Sequence, residues 1–220
     1  MSDITVLCYG DSNTHGTVPM THMDDDRRFG PEERWPGVMR AALGAGHLVI
    51  EEGLPGRTTV HSDPIEGAHK NGLAYLLPCL ESHRPVDVVV LMLGTNDLKA
   101  RFGLPAEDIA AGAGVLVDRI RRSEAGPGRS APRVLLVAPP PLARLELLAA
   151  MFGGGTEKAL RFGGLYREVA AGFGVSFLDA GLVIESSDVD GIHFEAAQHR
   201  ALGTAVAEAV RGIAAALPPV

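Results

Sequence analysis

The stretch ITVLCYGDSN at residues 4–13 decides the fold class, because an apolar run leads directly into a turn of small polar residues. Residues 4–9 are apolar or β-branched at almost every position, which is typical of a strand covered on both faces of a parallel sheet. Four later runs have the same character, at residues 48–51, 86–93, 133–138 and 175–178. The sequence therefore predicts a five-stranded parallel sheet that begins with residues 4–9.

Helical patterns separate these runs. Apolar residues recur at a spacing of three or four at positions 109, 113, 116 and 120, at positions 159–173, and at positions 202, 206, 210 and 213. Residues 73–80 also have helical spacing, and we expect Pro78 to start or kink that helix. Because each parallel crossover needs a helix over the sheet, we predict a three-layer α/β/α, flavodoxin-like fold in one domain, residues 1–220.

Composition excludes several classes of partner. The chain has 220 residues and a formal charge of −7, which disfavours nucleic acid and anionic membranes as partners. No apolar run approaches the roughly 18 residues of a membrane span, and no secretion signal is visible, so a cytoplasmic location is expected. Cys8 and Cys79 both lie in apolar runs, which predicts two buried residues rather than a disulfide framework or a metal site.

A candidate nucleophile follows the first predicted strand, in Gly10-Asp11-Ser12. In open α/β sheets the site lies beyond the carboxyl ends of the strands, so Ser12 is well placed to attack a substrate. A serine needs a base, and Asp190-Gly191-Ile192-His193 follows the fifth predicted strand. An Asp three residues before a His can orient the imidazole as that base. The alternative is that Ser12 only caps a helix and that His193 is merely exposed.

After a nucleophile and a base, the third requirement of such a site is a set of hydrogen-bond donors that stabilise the negative charge developing on the substrate. Gly94-Thr95-Asn96-Asp97 closes the third predicted strand, and the Asn96 amide can donate to an oxyanion. The second strand runs into residues 51–58, where a glycine would let a backbone N–H approach the substrate. The alternative for Asn96 is an Asx turn that holds its own loop.

Together these four segments resemble the SGNH (GDSL) hydrolase family over nearly the whole chain. The resemblance implies a serine esterase with Ser12 as nucleophile and with Asp190 and His193 completing the triad. It also implies an oxyanion hole formed by Ser12, by Gly56 in Leu-Pro-Gly-Arg-Thr, and by Asn96, with no metal or organic cofactor.

Within that family, the chain is similar to bacterial arylesterases and acyltransferases and to acetyl esterases acting on small or carbohydrate esters. The supporting stretches include residues 34–37, 51–59, 92–97 and 190–194. The resemblance implies a small ester substrate with a short acyl group, acyl transfer to alcohols beside hydrolysis, and a homo-oligomer.

Two residues depart from the family pattern. Asn13 stands where Leu or Ile is usual, and His15 stands where close relatives have Trp. We predict that Asn13, His15 and Thr95 contact the substrate. The long segments 14–34 and 142–152 are expected to shape the pocket.

Competing interpretations are weaker. An α/β-hydrolase would show a Gly-x-Ser-x-Gly elbow in mid-chain, which is absent from the sequence. A non-catalytic flavodoxin-like module binding phosphate or nucleotide would explain the fold, but it leaves Asn96 and the Asp190–His193 pair without a purpose.

Several other residues are expected to be structural. Asp188 is a rival to Asp190 for orienting the histidine, and Asp11 and Asp97 are expected to hold their own loops. Trp35 is predicted to pack in the core. His61, His69 and His83 are scattered without the spacing of metal ligands and are expected at the surface, and His199 is expected to be solvated.

Overall fold

The sheet in the computed structural model, which describes residues 4–217, is parallel throughout and has the strand order β2-β1-β3-β4-β5. Each strand pairs in parallel with its neighbours in the sheet. The predicted parallel α/β fold is therefore confirmed. The strands are β1 (Ile4–Gly10), β2 (His47–Gly53), β3 (Val88–Met92), β4 (Arg133–Ala138) and β5 (Ser176–Asp179).

The lengths of β2 and β3 differ from the prediction, and the hydrogen bonds of each strand account for the difference. β3 is shorter than predicted, since the Val86 N–H donates to the Ala125 carbonyl at 2.8 Å. At its other end, the Leu93 carbonyl accepts from the Tyr166 hydroxyl at 2.8 Å. β2 is longer than predicted, because it pairs with β1 along the whole of both strands.

Helices cover both faces of the sheet. They are α1 (Ser12–His15), α2 (Trp35–Leu43), α3 (Gly72–His83), α4 (Ala106–Arg121), α5 (Gly155–Ala159), α6 (Phe162–Phe173) and α7 (Ala196–Ala214). Alternate strand residues point to opposite faces, as the period of a strand requires. Leu7 and Tyr9 pack with α3, α4 and α6, while Val6 and Cys8 pack with α2 and α7.

Two helical predictions need correction. Pro78 does not start its helix, because α3 begins at Gly72, where the Asn71 side chain accepts from the Ala74 N–H at 3.3 Å. The stripe at residues 159–173 is divided between α5 and α6. Gly163 in α6 is required by close approach, since a Cβ there would lie 2.2 Å from Asp179 Oδ2.

The prediction of a solvated His199 is wrong. His199 is fully buried, and its Nδ1 accepts from the Trp35 N–H at 3.2 Å. It lies three residues before Leu202, so the helical period turns it to the same buried face of α7. Burial lowers the pKa of His199 to about 4, which keeps the ring neutral. Trp35 itself is 1% exposed and packs in the core, as predicted.

The strand order places a crevice at the carboxyl ends of β1 and β3. The chain crosses from β1 to β2 on one side and then to β3 on the other, and such a switch in direction opens a crevice above the sheet. Gly53 at the end of β2 lets α1 pack closely, since a Cβ there would lie 2.2 Å from the His15 backbone nitrogen. The turn after β1 and the turn after β3 therefore meet at one edge.

Asp97 ties the turn after β3 to the loop after β2. Its carboxyl oxygens accept from the Thr59 N–H at 2.9 and 3.1 Å, and Oδ1 accepts from the Thr59 hydroxyl at 2.6 Å. The prediction that Asp97 hydrogen-bonds its own loop rather than acting as an acid did not include this contact with a second loop. Burial raises the pKa of Asp97 to about 7, and the hydrogen bonds from Thr59 oppose that rise without cancelling it.

The raised pKa of Asp97 predicts a pH-dependent stability. An unfolded Asp has a pKa of about 3.9, so between about pH 4 and pH 7 the folded protein holds a proton that the unfolded chain has lost. The contribution of Asp97 to the free energy of unfolding therefore falls as pH rises through this window. Asp97→Asn lacks this titration, so its stability deficit relative to wild type should be larger near about pH 5 than near about pH 8.

Urea denaturation at the two pH values measures the deficit. Asp24→Asn, a change at an exposed position, is the matched control and should follow the pH dependence of wild type. A deficit of Asp97→Asn that grows as pH rises would contradict the assignment.

Candidate active site

Ser12 lies in a turn that the backbone fixes tightly. Asp11 caps α1, and its Oδ1 accepts from the Asn13 N–H at 3.0 Å, as predicted for a residue that holds its own loop. Gly10 is required before it, since a Cβ there would lie 2.0 Å from the Thr14 hydroxyl oxygen. The hydrogen bonds of α1 start with the Thr14 and His15 N–H groups, which both donate to the Asp11 carbonyl. Within residues 4–217, the Ser12 N–H is left without a backbone acceptor.

His193 connects Ser12 to Asp190. His193 Nε2 lies 3.0 Å from Ser12 Oγ, and His193 Nδ1 lies 2.6 Å from Asp190 Oδ2. All three residues are buried, with 6%, 5% and 0% exposure for Ser12, His193 and Asp190. A hydroxyl, an imidazole and a carboxylate in this order form an arrangement that can move a proton from the hydroxyl to the ring.

Asp190 is held by backbone donors from both ends of the chain. Its Oδ1 accepts from the Ile192 and His193 N–H groups at 2.9 Å each, and its Oδ2 accepts from the Met20 N–H at 2.7 Å. Burial pushes the pKa of Asp190 upward, but the hydrogen bond and charge of His193 and the backbone donors outweigh it. The pKa of Asp190 therefore lies below its usual range, and the carboxylate stays ionised beside the imidazole.

The rival carboxylate, Asp188, does not meet the histidine. It is exposed, and its Oδ1 accepts from the Arg144 N–H at 3.3 Å. The contact of Met20 with Asp190 is one that sequence reasoning missed. A backbone donor 170 residues away from its acceptor has no side-chain signature.

Gly56 presents a free N–H near Ser12. Its φ of +81° lies in the left-handed region that favours glycine, and a Cβ there would lie 2.5 Å from Glu66 Oε2. The loop is held by bonds from Leu54 N–H to the Gly10 carbonyl at 3.1 Å and from Arg57 N–H to the Leu54 carbonyl at 3.0 Å. In the described part of the chain, these bonds leave the Gly56 N–H without a backbone acceptor.

Arg57 fastens this loop to the end of β1. It is 3% exposed, and its Nη1 donates to the Gly10 carbonyl at 2.9 Å and also to the Glu52 carbonyl. Its guanidinium lies over the ring of Tyr9, 4.2 Å from the centroid. The predictions from sequence gave Arg57 no role. A charged residue directly after a loop glycine, close to the end of a buried strand, is the pattern that could have indicated one.

Asn96 follows β3 and faces the same space. It is 6% exposed, and its Nδ2 lies 3.5 Å from Asp11 Oδ2, which is long for a hydrogen bond. The amide is therefore not firmly engaged. Burial raises the pKa of Asp11 to about 6, while the Asn13 N–H and the His193 charge oppose that rise.

One cavity of about 410 Å³ contains the candidate residues Ser12, Gly56, Asn96 and His193. Both long segments contribute to its walls, as predicted. The lining includes both apolar and charged side chains. The apolar ones are Met20, Met23, Leu148, Met151, Phe152 and Ile192, and the charged ones are Asp25, Asp26, Glu66 and Lys99. A larger groove of about 680 Å³ lies elsewhere and contains none of the candidate residues.

Of the predicted substrate contacts, His15 lines the cavity, whereas Asn13 and Thr95 are not among its lining residues. Asn13 Nδ2 donates to the Ile192 carbonyl at 3.2 Å, which braces the turn that carries His193. Thr95 is buried beside Asn96. Burial, with Arg28 and Arg34, lowers the pKa of His15 to about 4, so this ring is neutral near pH 7.

Among residues 4–217, none of the helices has the length and apolar character that crossing a bilayer demands.

Comparisons with known proteins identify the family. Residues 8–201 match the model of the GDSL-like lipase/acylhydrolase family. A carbohydrate acetylesterase from Sinorhizobium meliloti is 43% identical with a TM-score of 0.92, over 96% of this chain and 100% of that one. An aryl esterase from M. smegmatis is 45% identical with a TM-score of 0.91, over 96% of this chain and 99% of that one.

A putative arylesterase from Agrobacterium tumefaciens is 39% identical with a TM-score of 0.86, over 96% of this chain and 99% of that one. No protein in the curated set matches the chain significantly. The family match covers residues 8–201, and the similar solved structures each align with 96% of the chain. The chain belongs to the GDSL-like lipase/acylhydrolase family, the SGNH hydrolases, and is a carboxylic ester hydrolase.

Proposed function

We propose that the chain is a serine esterase in which Ser12 is the nucleophile, His193 the general base and Asp190 the residue that orients His193. The observation that carries the proposal is the continuous contact from Ser12 Oγ to His193 Nε2 at 3.0 Å and from His193 Nδ1 to Asp190 Oδ2 at 2.6 Å. Family membership favours this chemistry over a phosphate-binding module, which has no use for the contact.

The first half of the reaction forms an acyl-enzyme. His193 Nε2 takes the proton of Ser12 as Oγ attacks the ester carbonyl carbon, while Asp190 stabilises the imidazolium. The tetrahedral intermediate then collapses, the carbon–oxygen bond to the alcohol breaks, and the alcohol leaves with the proton from His193. The ionised Asp190 suits this role, because its lowered pKa keeps it from taking the proton.

The second half regenerates the serine. His193 takes a proton from water, the hydroxide attacks the acyl carbon, and the carboxylic acid leaves as Ser12 Oγ recovers its proton. A second alcohol in place of water would give acyl transfer. The cavity is about 410 Å³ and leaves room for either acceptor beside the acyl group.

The oxyanion hole that we propose consists of the Ser12 and Gly56 N–H groups and the Asn96 amide. Two features support it: neither N–H has a backbone acceptor within residues 4–217, and the Asn96 amide is only weakly engaged by Asp11. Each such donor is worth about 2.7–4 kcal/mol when it acts in the transition state.

The substrate we propose is a short-chain ester, of the acetyl type, with an aryl, alkyl or carbohydrate alcohol. The similar structures named for carbohydrate acetylesterase and aryl esterase activity support this choice. The apolar lining and the neutral His15 suit an uncharged substrate. The lining carboxylates Asp25 and Glu66 are already paired with Arg27 and Lys99, so the cavity offers an anionic substrate no free cation from these pairs. Asn13 and Thr95 do not line the cavity, so of the three predicted substrate contacts His15 is the one that supports this choice. Homo-oligomer assembly remains a prediction from the family resemblance.

Removing the nucleophile or the base should abolish turnover. We expect Ser12→Ala and His193→Ala to lower kcat on p-nitrophenyl acetate by about a thousandfold or more, because the triad acts as a unit. Ser130→Ala and His69→Ala change exposed residues of the same types and should keep wild-type activity. If Ser12→Ala retains most of its activity, the nucleophile is misassigned.

The acyl group can be tested with p-nitrophenyl esters from acetate to octanoate. We expect kcat/KM to be highest for the shortest acyl groups and to fall along the series, because the cavity that Ser12 shares with Leu148 and Phe152 has a volume of about 410 Å³, which must hold the alcohol half as well. A preference for octanoate would overturn the proposal of an acetyl-type substrate while leaving the triad intact.

Arg57 should act as a positioning residue for the Gly56 loop. Arg57→Met keeps the aliphatic stem but loses the bond to the Gly10 carbonyl, so the Gly56 N–H should lose its fixed direction. We expect kcat to fall between about tenfold and about a hundredfold while KM changes little, since the oxyanion hole acts in the transition state.

Arg57→Lys keeps one donor and should restore part of the loss. Thermal unfolding of both variants separates misfolding from misalignment. A variant with wild-type kcat and a lower melting temperature would show that Arg57 serves stability alone.

A further inference from the structure

A cluster of potential metal ligands lies between β2 and α3, outside the cavity that contains Ser12. Glu52 near the end of β2 meets Cys79 and His83 of α3, and each contributes one ligand atom to a group within 4.8 Å. His83 Nε2 lies 2.9 Å from Glu52 Oε1. The proposed ester hydrolysis uses none of these three residues.

Helix α3 and strand β2 together hold the three residues close to one another. Cys79 and His83 are four residues apart in α3, so they share one face of the helix. Glu52 pairs with Tyr9 in the sheet, and the Tyr9 hydroxyl donates to the Gly72 carbonyl at the start of α3 at 2.7 Å. The helix is thus fastened above the strand that carries the carboxylate.

We propose that Glu52, Cys79 and His83 bind a Zn²⁺ ion, with water as the fourth ligand. A thiolate, an imidazole and a carboxylate are ligands that zinc accepts together, whereas a thiolate disfavours magnesium and calcium. Only the Cys79–His83 interval could have suggested the site from sequence, because Glu52 comes from a distant strand.

The distances and access suit such an ion. Metal bonds of about 2.0–2.3 Å separate tetrahedral ligands by about 3.3–3.8 Å. The His83–Glu52 pair at 2.9 Å would open slightly, and any pair near the 4.8 Å limit would close by about 1 Å, so small side-chain rotations suffice. Cys79 is fully buried, while the side chains of Glu52 and His83 are 19% and 31% exposed, which leaves a route from solvent.

Charge balance also suits a divalent cation. The Cys79 thiol would release its proton to solvent on binding, so the thiolate and the Glu52 carboxylate would together neutralise the two positive charges. Arg57 is the nearby cation, but its guanidinium already donates to the Gly10 and Glu52 carbonyl oxygens and lies over Tyr9.

The competing interpretation is a plain contact between His83 and Glu52 with Cys79 as a buried filler. A cysteine that reacts with solutes is a poorer explanation, because the Cys79 side chain has no exposed surface. The filler interpretation predicts no metal uptake at this place, so a binding measurement separates it from the zinc site.

The test uses the full chain, freed of metal with a chelator and titrated with Zn²⁺ in a calorimeter and with Co²⁺ in a spectrophotometer. We expect one ion per chain and a thiolate-to-cobalt charge-transfer band. Cys79→Ser should remove the band, and His83→Gln should weaken zinc binding by at least about tenfold.

Controls locate the ion. Cys8→Ser removes the other cysteine and should keep the charge-transfer band. His193→Gln should also keep it, which excludes a metal at the candidate active site. Because Cys79→Ser could disturb the core, the partly exposed His83→Gln provides an independent variant, and Zn²⁺ should raise the melting temperature of wild type but not of His83→Gln.

Three results would overturn the proposal: no zinc uptake by wild type, a cobalt spectrum without a thiolate band, or unchanged zinc affinity in both Cys79→Ser and His83→Gln. None of these results bears on ester hydrolysis, so the two proposals fail separately.

Discussion

All strands of the sheet run in the same direction, and the site depends on this constraint. Every turn that follows a strand emerges at the same edge, so residues far apart in sequence meet without a dedicated scaffold. Ser12 follows β1, Asn96 follows β3 and His193 lies beyond β5. The switch in strand order between β1 and β3 opens the crevice that these turns enclose. Glycines at positions 10 and 53 let the turns approach one another closely.

Three of the buried carboxyl groups, those of Asp11, Asp97 and Asp190, follow strands at this edge, and their surroundings give them different proton affinities. Burial raises the pKa of Asp97 to about 7 and that of Asp11 to about 6. Asp190 is also buried, yet its pKa is lowered, because it contacts the His193 ring and accepts three backbone N–H bonds. Burial alone therefore does not decide the charge of a carboxyl group. The partners do, and they leave the ionised one beside the imidazole.

Much of the architecture and the candidate site could be predicted from sequence, because both depend on local patterns. Apolar runs mark the strands, and the short motifs around Ser12, Asn96 and His193 lie where strands end. Contacts between distant segments were not predictable. The Met20 N–H reaches Asp190 through the path of a long loop, and Arg57 acts through backbone carbonyls that any residue could supply. His199 was misjudged because a polar residue on an apolar helical stripe gives conflicting signals.

Every step proposed for the reaction requires that Ser12 is the nucleophile activated by His193. Mass spectrometry of the chain after treatment with an organophosphate that phosphorylates activated serines tests this requirement. We expect one adduct per chain, located in the peptide that contains Ser12, and its near absence in His193→Ala. An adduct on another residue, or complete loss of activity with Ser12 unmodified, would contradict the assignment of Ser12.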